Sequence, residues 1–287
     1  MQTIVTQKTK QKGEMLRHVA FSVAVIFIIL AIAYPFISGD YKSDVDDDES
    51  YGSLPSVSRH FSDVTVEVPD FSQISDVNDR KTAFFAYLLP AIDAENDHIL
   101  SVRQEVLRLH AQYQAGEQLT RLERRWVRAV ADYYRVEHDD LNAVFTTLKR
   151  RVDEVPDTLV LIQAANESGW GTSRFAQDAR NFFGQWCWNE GCGIVPSSRP
   201  AGASHEVQYF ASIEASVQSY IRNLNTHFAY QELREIRADL RARNIPITAQ
   251  PLTLGLMAYS ERGEEYIVEL NQMIRVNREI IRQARIQ

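Results

Sequence analysis

The sequence predicts a mostly helical protein, held to a membrane at its N-terminus and carrying one non-helical insert. Three observations say so. A charge-free run of nineteen residues lies near the N-terminus. Apolar residues at three- and four-residue spacing dominate most of 76–168 and 211–287, and the stretch between them breaks that period with Gly, Asn and Trp. With 287 residues, 45% hydrophobic and 24% charged, the chain can bury a core, which excludes wholesale disorder, a collagen-like repeat and a disulfide miniprotein. A net charge of −7 argues against non-specific nucleic-acid binding, which needs a basic surface.

Residues 1–18 form a basic tail with Lys8, Lys10, Lys12 and Arg17 against Glu14. Val19 to Ile37 then carries no charge and is just long enough to cross a bilayer as a helix. Acidic residues from Asp40 to Glu49 follow, so the charge asymmetry puts the N-terminus in the cytoplasm and the rest across the membrane. Ala31-Ile32-Ala33 also fits a signal-peptide cleavage site, so anchor and cleaved leader are both open, and either makes the body extracytoplasmic. Residues 38–75, rich in Asp and Ser and with Pro55 and Pro69, read as a flexible acidic linker. Within it, Val64 to Val68 alternates like a strand.

From Asp76 to residue 139 the pattern is a helical extension: one run on Ala83, Phe84, Tyr87, Leu88 and Ala91, a second on Ile99, Val102, Val106 and Leu109, and a third opening at Leu119-Thr120. Leu141 to Val152 gives a fourth helix. His98, His110 and His138 have no metal-ligand spacing, and neither a metal nor a cofactor motif occurs. Pro156-Asp157 opens the next helix, which is apolar nearly all round and therefore expected to be buried. Ser168-Gly169 closes it and leaves Glu167 in its last turn. Apolar walls and the negative end of the helix dipole both disfavour a charged carboxylate there, which is what a general acid needs.

Three of the four tryptophans, Trp170, Trp186 and Trp188, lie within nineteen residues, among Gly, Asn and Gln. Flat rings beside amide side chains suit sugar binding. Cys187 and Cys192 enclose four residues and, in an oxidising compartment, are candidates for a disulfide; a thiol partnered by His205 is the alternative. Toward the C-terminus, Ile213, Val217, Tyr220, Ile221 and Leu224 form a stripe, and the tail from Tyr266 is helical. Arg234, Arg237, Arg241 and Arg243 read as a solvated helix face, the other option being contact with anionic stems or lipid.

Ala164-Ala165-Asn166-Glu167-Ser168-Gly169-Trp170-Gly171, followed by Asn181-Phe182-Phe183-Gly184, resembles the signature of the peptidoglycan N-acetylglucosaminidase family, glycoside hydrolase family 73. Gly184-Gln185-Trp186-Cys187-Trp188, Gly191-Cys192-Gly193 and Asn223 to His227 are similar to its bacterial Bax-type branch. The resemblance implies an α+β, mostly helical fold, with a lysozyme-like helical lobe facing a small β lobe, and a catalytic domain over 140–287. It further implies cleavage of the β-1,4 bond after N-acetylglucosamine, with Glu167 as acid and the glycan strand as partner. Tyr259 falls near a family tyrosine that would orient substrate or water, although Ser-Glu-Arg follows it in place of Ala-Thr-Asp. Glu206 is the leading candidate for a second carboxylate, Glu190 the other, and the substrate's acetamido group the third route. Trp170, Asn181, Phe183, Gln185, Trp186, Trp188 and Tyr209 are the expected substrate contacts.

Overall fold

A computed structural model describes residues 51–61, 67–197, 199 and 202–286. The basic tail, the apolar segment 19–37, the acidic run after it and most of the Val64–Val68 alternation lie outside the described residues. Among the described residues, no helix is long and apolar enough to cross a membrane.

Helix α1, Val77–Gln114, starts where Asp76 caps it by accepting from the Asn78 and Asp79 amides. The two apolar runs expected here are one helix, continuous through Pro90. Proline in a helix interior costs about 3 kcal/mol. Burial of Leu88, Leu89, Ala91 and Ile92 on either side of an exposed Pro90 outweighs that cost. Helix α2, Arg121–Tyr133, opens on a reciprocal Thr120–Glu123 capping box. Helix α3, Leu141–Arg151, follows an Asp140 cap.

Helix α4, Asp157–Ser168, has the bounds the sequence suggests and ends on Gly169 at φ 58°. Leu159 to Ala165 are all buried, so the helix is enclosed around its circumference. α1 and the C-terminal helix α9, Glu264–Ala284, both pack against it. Between them come α5 (Arg174–Ala179), α6 (Ile213–Thr226), α7 (Gln231–Ala242) and α8 (Ala249–Thr253). The insert folds into a three-stranded antiparallel sheet in the order β1 (Trp186–Cys187), β3 (Glu206–Gln208), β2 (Gly193–Ile194). Trp186 pairs with Val207, and Gly193 with Gln208. A side chain at Gly193 would stand 1.9 Å from the Val207 carbonyl oxygen, so only glycine permits that pairing. The result is the expected mostly helical α+β fold with a small β lobe.

Two expectations need correction. The stretch taken as a flexible linker is, from Tyr51 onward, partly built into the core. Tyr51, Val57 and Phe71 are buried in the same apolar cluster as α1, α4 and α9. The Trp126 indole donates to the Pro55 carbonyl at 2.6 Å. Arg59 reaches the buried Glu95 of α1 at 3.6 Å, where burial pushes the carboxyl up to about 7. Nor do the arginines of α7 form a solvated face. Arg237 is 1% exposed and donates to the carbonyls of Arg150, Asp153 and Glu154. Arg234 is also buried, on the Leu224 and His227 carbonyls, and Arg241 pairs with Asp153 at 2.7 Å. Only Arg243 among the four stands on a mostly solvent-facing pair, with Asp239.

Phe71 fills the space above Gly171, where a Cβ would come within 2.7 Å of its ring. Phe71→Ala should therefore lower the unfolding free energy by about 3–5 kcal/mol in denaturant titrations. A change within about 0.5 kcal/mol would show that this segment is not part of the core.

Candidate active site

Three consecutive left-handed residues follow α4: Gly169 at φ 58°, Trp170 at 60° and Gly171 at 76°. For a tryptophan this conformation costs on the order of 1–3 kcal/mol. The ring is held by Phe84 and Phe85 at 5.9 and 5.4 Å, with the Lys81 ammonium 4.7 Å from its centre. Trp170 thus ties the end of α4 to α1 and fixes the turn that carries Glu167.

The Glu167 residue is open to solvent on one side, while protein walls its carboxyl on the others. That desolvation raises its pKa above the usual carboxylate range; hydrogen bonds from Tyr266 and Asn166 and the field of Arg262 pull it part of the way back. Neither Arg174 nor Arg180 pairs with it: Arg174 donates to the Val195 carbonyl and Arg180 to the Tyr209 hydroxyl. Arg262 is engaged by Glu269 at 2.5 Å. Among the described residues, Glu167 therefore has no ion pair.

Its two oxygens differ. Oε1 accepts from the Tyr266 hydroxyl at 2.9 Å and, more weakly, from Asn166 at 3.4 Å. Oε2 faces Gly184, whose missing Cβ would lie 4.0 Å away. Behind Tyr266 stands a buried row: the Gln163 amide nitrogen donates to the Tyr266 oxygen at 3.0 Å, and the Tyr220 hydroxyl donates to Gln163 Oε1. Gln163, Tyr220 and Tyr266 are each no more than 1% exposed. Gln163 lies one turn before Glu167 on the same helix face. The one polar residue in the apolar stretch 159–165, Gln163, is the sequence signal that could have pointed to this row. Tyr266 is visible only as the tyrosine seven residues after Tyr259.

Tyr259 stacks on Tyr266 with ring centres 5.8 Å apart and donates to the Phe183 carbonyl at 2.9 Å. Its hydroxyl is spent on holding the loop beside Glu167. Phe183 is itself buried, stacked at 4.0 Å on Tyr220. Asn181 is a loop knot: its amide donates to the Gln185 and Gln208 carbonyls, and its oxygen accepts from the Gln185 amide. Gln185 is buried and donates to Ser219 at 2.7 Å. Asn181, Phe183 and Gln185, expected as substrate contacts, thus serve the backbone and core around the site.

The exposed aromatic surface is in the β lobe. Trp186 is 36% exposed and stacks on His205 at 4.3 Å, with Trp188 edge-on to both. Tyr209 is 50% exposed, its ring beneath Arg180 at 5.8 Å. Cys187 and Cys192 are joined as a disulfide, which closes the loop bearing Trp188 and leaves no thiol for His205 to activate. Cys187, Cys192 and Glu206 come within 4.8 Å of one another, but with both sulfurs bonded to each other they offer no thiolate pair to a metal.

Glu206 is buried on β3, and both its oxygens are occupied: the Gly191 amide donates to one at 3.1 Å and the Gly193 amide to the other at 2.8 Å. Those amides hold its pKa below the ordinary glutamate value. A carboxylate tied in this way braces the disulfide loop. Glu190 lies exposed on that loop.

Residues 143–279 match the glucosaminidase family model, described as mannosyl-glycoprotein endo-beta-N-acetylglucosaminidase. Protein bax of Escherichia coli (strain K12) is 33% identical over 216 residues, covering 75% of this chain and 76% of that protein. No solved structure matches the chain.

The raised Glu167 carboxyl binds its proton more tightly in the folded than in the unfolded chain. Its contribution to stability is therefore complete below the unfolded value of about 4.3 and is lost as pH rises through the folded value. Thermal melts of Glu167→Gln should match the parent near about pH 4 and exceed it at neutral pH. A variant less stable than the parent at neutral pH would show that the ionised form is favoured by the fold.

Proposed function

The chain belongs to the Bax-like branch of the glucosaminidase family, and from that premise we propose that it is a membrane-tethered envelope hydrolase of peptidoglycan. Membership carries glycan hydrolysis as the coarse activity. The bond we assign is the β-1,4 linkage that follows N-acetylglucosamine, with Glu167 as general acid. A single observation carries the reading: one carboxyl sits at the end of a buried helix, raised in pKa, without an ion pair among the described residues and open to solvent on one side.

In this mechanism the glycosidic C1–O bond breaks as the Glu167 proton passes to the bridging oxygen. The leaving sugar keeps the bonding electron pair. A water hydroxyl ends on C1, and the other water proton restores the acid. Trp186 and Tyr209 offer exposed ring surface to the strand, with the half-buried Trp188 edge-on to Trp186. The segment 19–37 anchors the protein in a bacterial inner membrane with its body in the periplasm; if it is cleaved instead, the body is released there.

The occupied oxygens of Glu206 favour a second reading of the same site. With Glu206 tied up in this way, a group of the substrate itself can attack C1: its acetamido oxygen, or a sugar hydroxyl as in lytic transglycosylases. The products separate these routes. Digestion of purified peptidoglycan by the full chain, read by mass spectrometry, should give reducing N-acetylglucosamine ends. 1,6-Anhydro-N-acetylmuramic acid ends would assign the transglycosylase route, and binding to sacculi without soluble fragments would assign a non-catalytic role.

Glu167→Gln should cut fragment release by roughly 10²–10⁴-fold, the usual worth of a positioned acid. Glu206→Gln should keep substantial activity, with faster amide exchange at Gly191 and Gly193. Equal loss in both variants would restore Glu206 as a catalytic group.

A further inference from the structure

Gln163 is more than a buried glutamine that happens to be satisfied. Its amide nitrogen can only donate and its amide oxygen can only accept. The nitrogen faces the Tyr266 oxygen at 3.0 Å, and the oxygen takes the Tyr220 hydroxyl proton. With an N–H already pointed at its oxygen, Tyr266 turns its own proton outward, and the group there is Glu167 Oε1 at 2.9 Å. Every donor in the row runs the same way, from Tyr220 through Gln163 and Tyr266 to Glu167.

This direction has a consequence for the acid. Oε1 receives the Tyr266 proton and the weaker Asn166 contact, so a second proton on Oε1 would meet hydrogen atoms on both sides. Oε2, beside Gly184 and its absent side chain, is the oxygen left to carry one. Were the amide reversed, Tyr266 would donate to Gln163, and a neutral Glu167 could place its proton on Oε1, pointing into the protein.

We propose that Gln163 is a positioning residue whose amide sets the direction of donation through Tyr266, so that the transferable proton of Glu167 sits on Oε2, the oxygen beside Gly184. The proposal rests on Glu167 being the acid of a glycan-cleaving site. It assigns to a residue with no substrate contact the choice of which carboxyl oxygen is chemically active. The row is closed to bulk water, since none of its three inner residues is more than 1% exposed, and the low local dielectric strengthens each bond in it.

The test is a carboxyl ¹³C titration of Glu167 in the full chain labelled at glutamate, with the signal assigned by its loss in Glu167→Gln. In Gln163→Leu, the Tyr266 oxygen loses its N–H donor and becomes free to accept from a neutral Glu167. The neutral form gains, so the Glu167 midpoint should move to higher pH, and Tyr266→Phe should move it at least as far by removing the donor to the carboxylate. Gln163→Leu combined with Tyr220→Phe leaves no orphaned polar group at the far end of the row and gives the same reading should the single variant not fold. Val217→Ala, a truncation elsewhere in the core, should leave the midpoint in place. An unmoved midpoint in the Gln163 variants, or an equal movement in Val217→Ala, overturns the proposal. Because the titration needs no turnover, a chain that shows the shift yet releases no peptidoglycan fragments would sink the hydrolase reading and leave the row standing.

Discussion

The structure depends on one constraint: the Glu167 carboxyl must stay attached to a rigid, buried helix and still meet solvent. Helix α4 satisfies the first half by enclosure, with seven consecutive buried residues ahead of its last turn. Its abrupt left-handed end satisfies the second, because three successive residues at positive φ carry the chain away just past the carboxyl. Desolvation and hydrogen bonding then oppose each other at that group, and desolvation is the larger effect. The walls favour the neutral acid. The Tyr266 bond works the other way and keeps the ionised form accessible.

The elements around that carboxyl divide the labour. The loop after α5 is drawn in by Asn181 and Tyr259, which tie its backbone so that Gly184 approaches Glu167. The sheet beyond it presents aromatic rings, braced by the disulfide and by the two amide bonds of Glu206. Charge is thus used in two ways within a short stretch of chain. The carboxylate that is stabilised as an anion holds a loop, and the one destabilised as an anion meets solvent at the end of α4. The N-terminal segment contributes as well, since Phe71 packs directly against the glycine turn after α4.

Much of this was legible in the residues. The bounds of α4, the place of Glu167 in its last turn and the pairing of Cys187 with Cys192 follow from local signals: a Pro-Asp start, a Gly stop and close cysteine spacing. What could not be read was partnership at long range. Tyr266 meets Glu167 across 99 positions and Gln163 across 103, and no local pattern encodes either contact. The protein contacts of Asn181, Phe183 and Gln185 were hidden for a related reason, because polar and aromatic side chains beside a site can serve its backbone as well as a ligand. The arginines of α7 look like a solvated stripe until the carbonyls of Arg150, Asp153 and Glu154 arrive from another helix end. Residues 51–75 are poor in periodic apolar pattern, yet isolated side chains, Tyr51, Val57 and Phe71, reach the core from this stretch.

The central claim is that the fold itself keeps a proton on Glu167 under conditions where exposed glutamates have lost theirs. Infrared difference spectroscopy of the full chain against Glu167→Gln, stepped upward in pH, reads this directly through the protonated-carboxyl C=O stretch. The account requires a band, missing from the variant, that persists above the pH at which ordinary glutamates, with a pKa of about 4.3, have ionised. If that band disappears together with the bulk glutamate signal, the carboxyl is an ordinary surface acid and the assignment of its role falls.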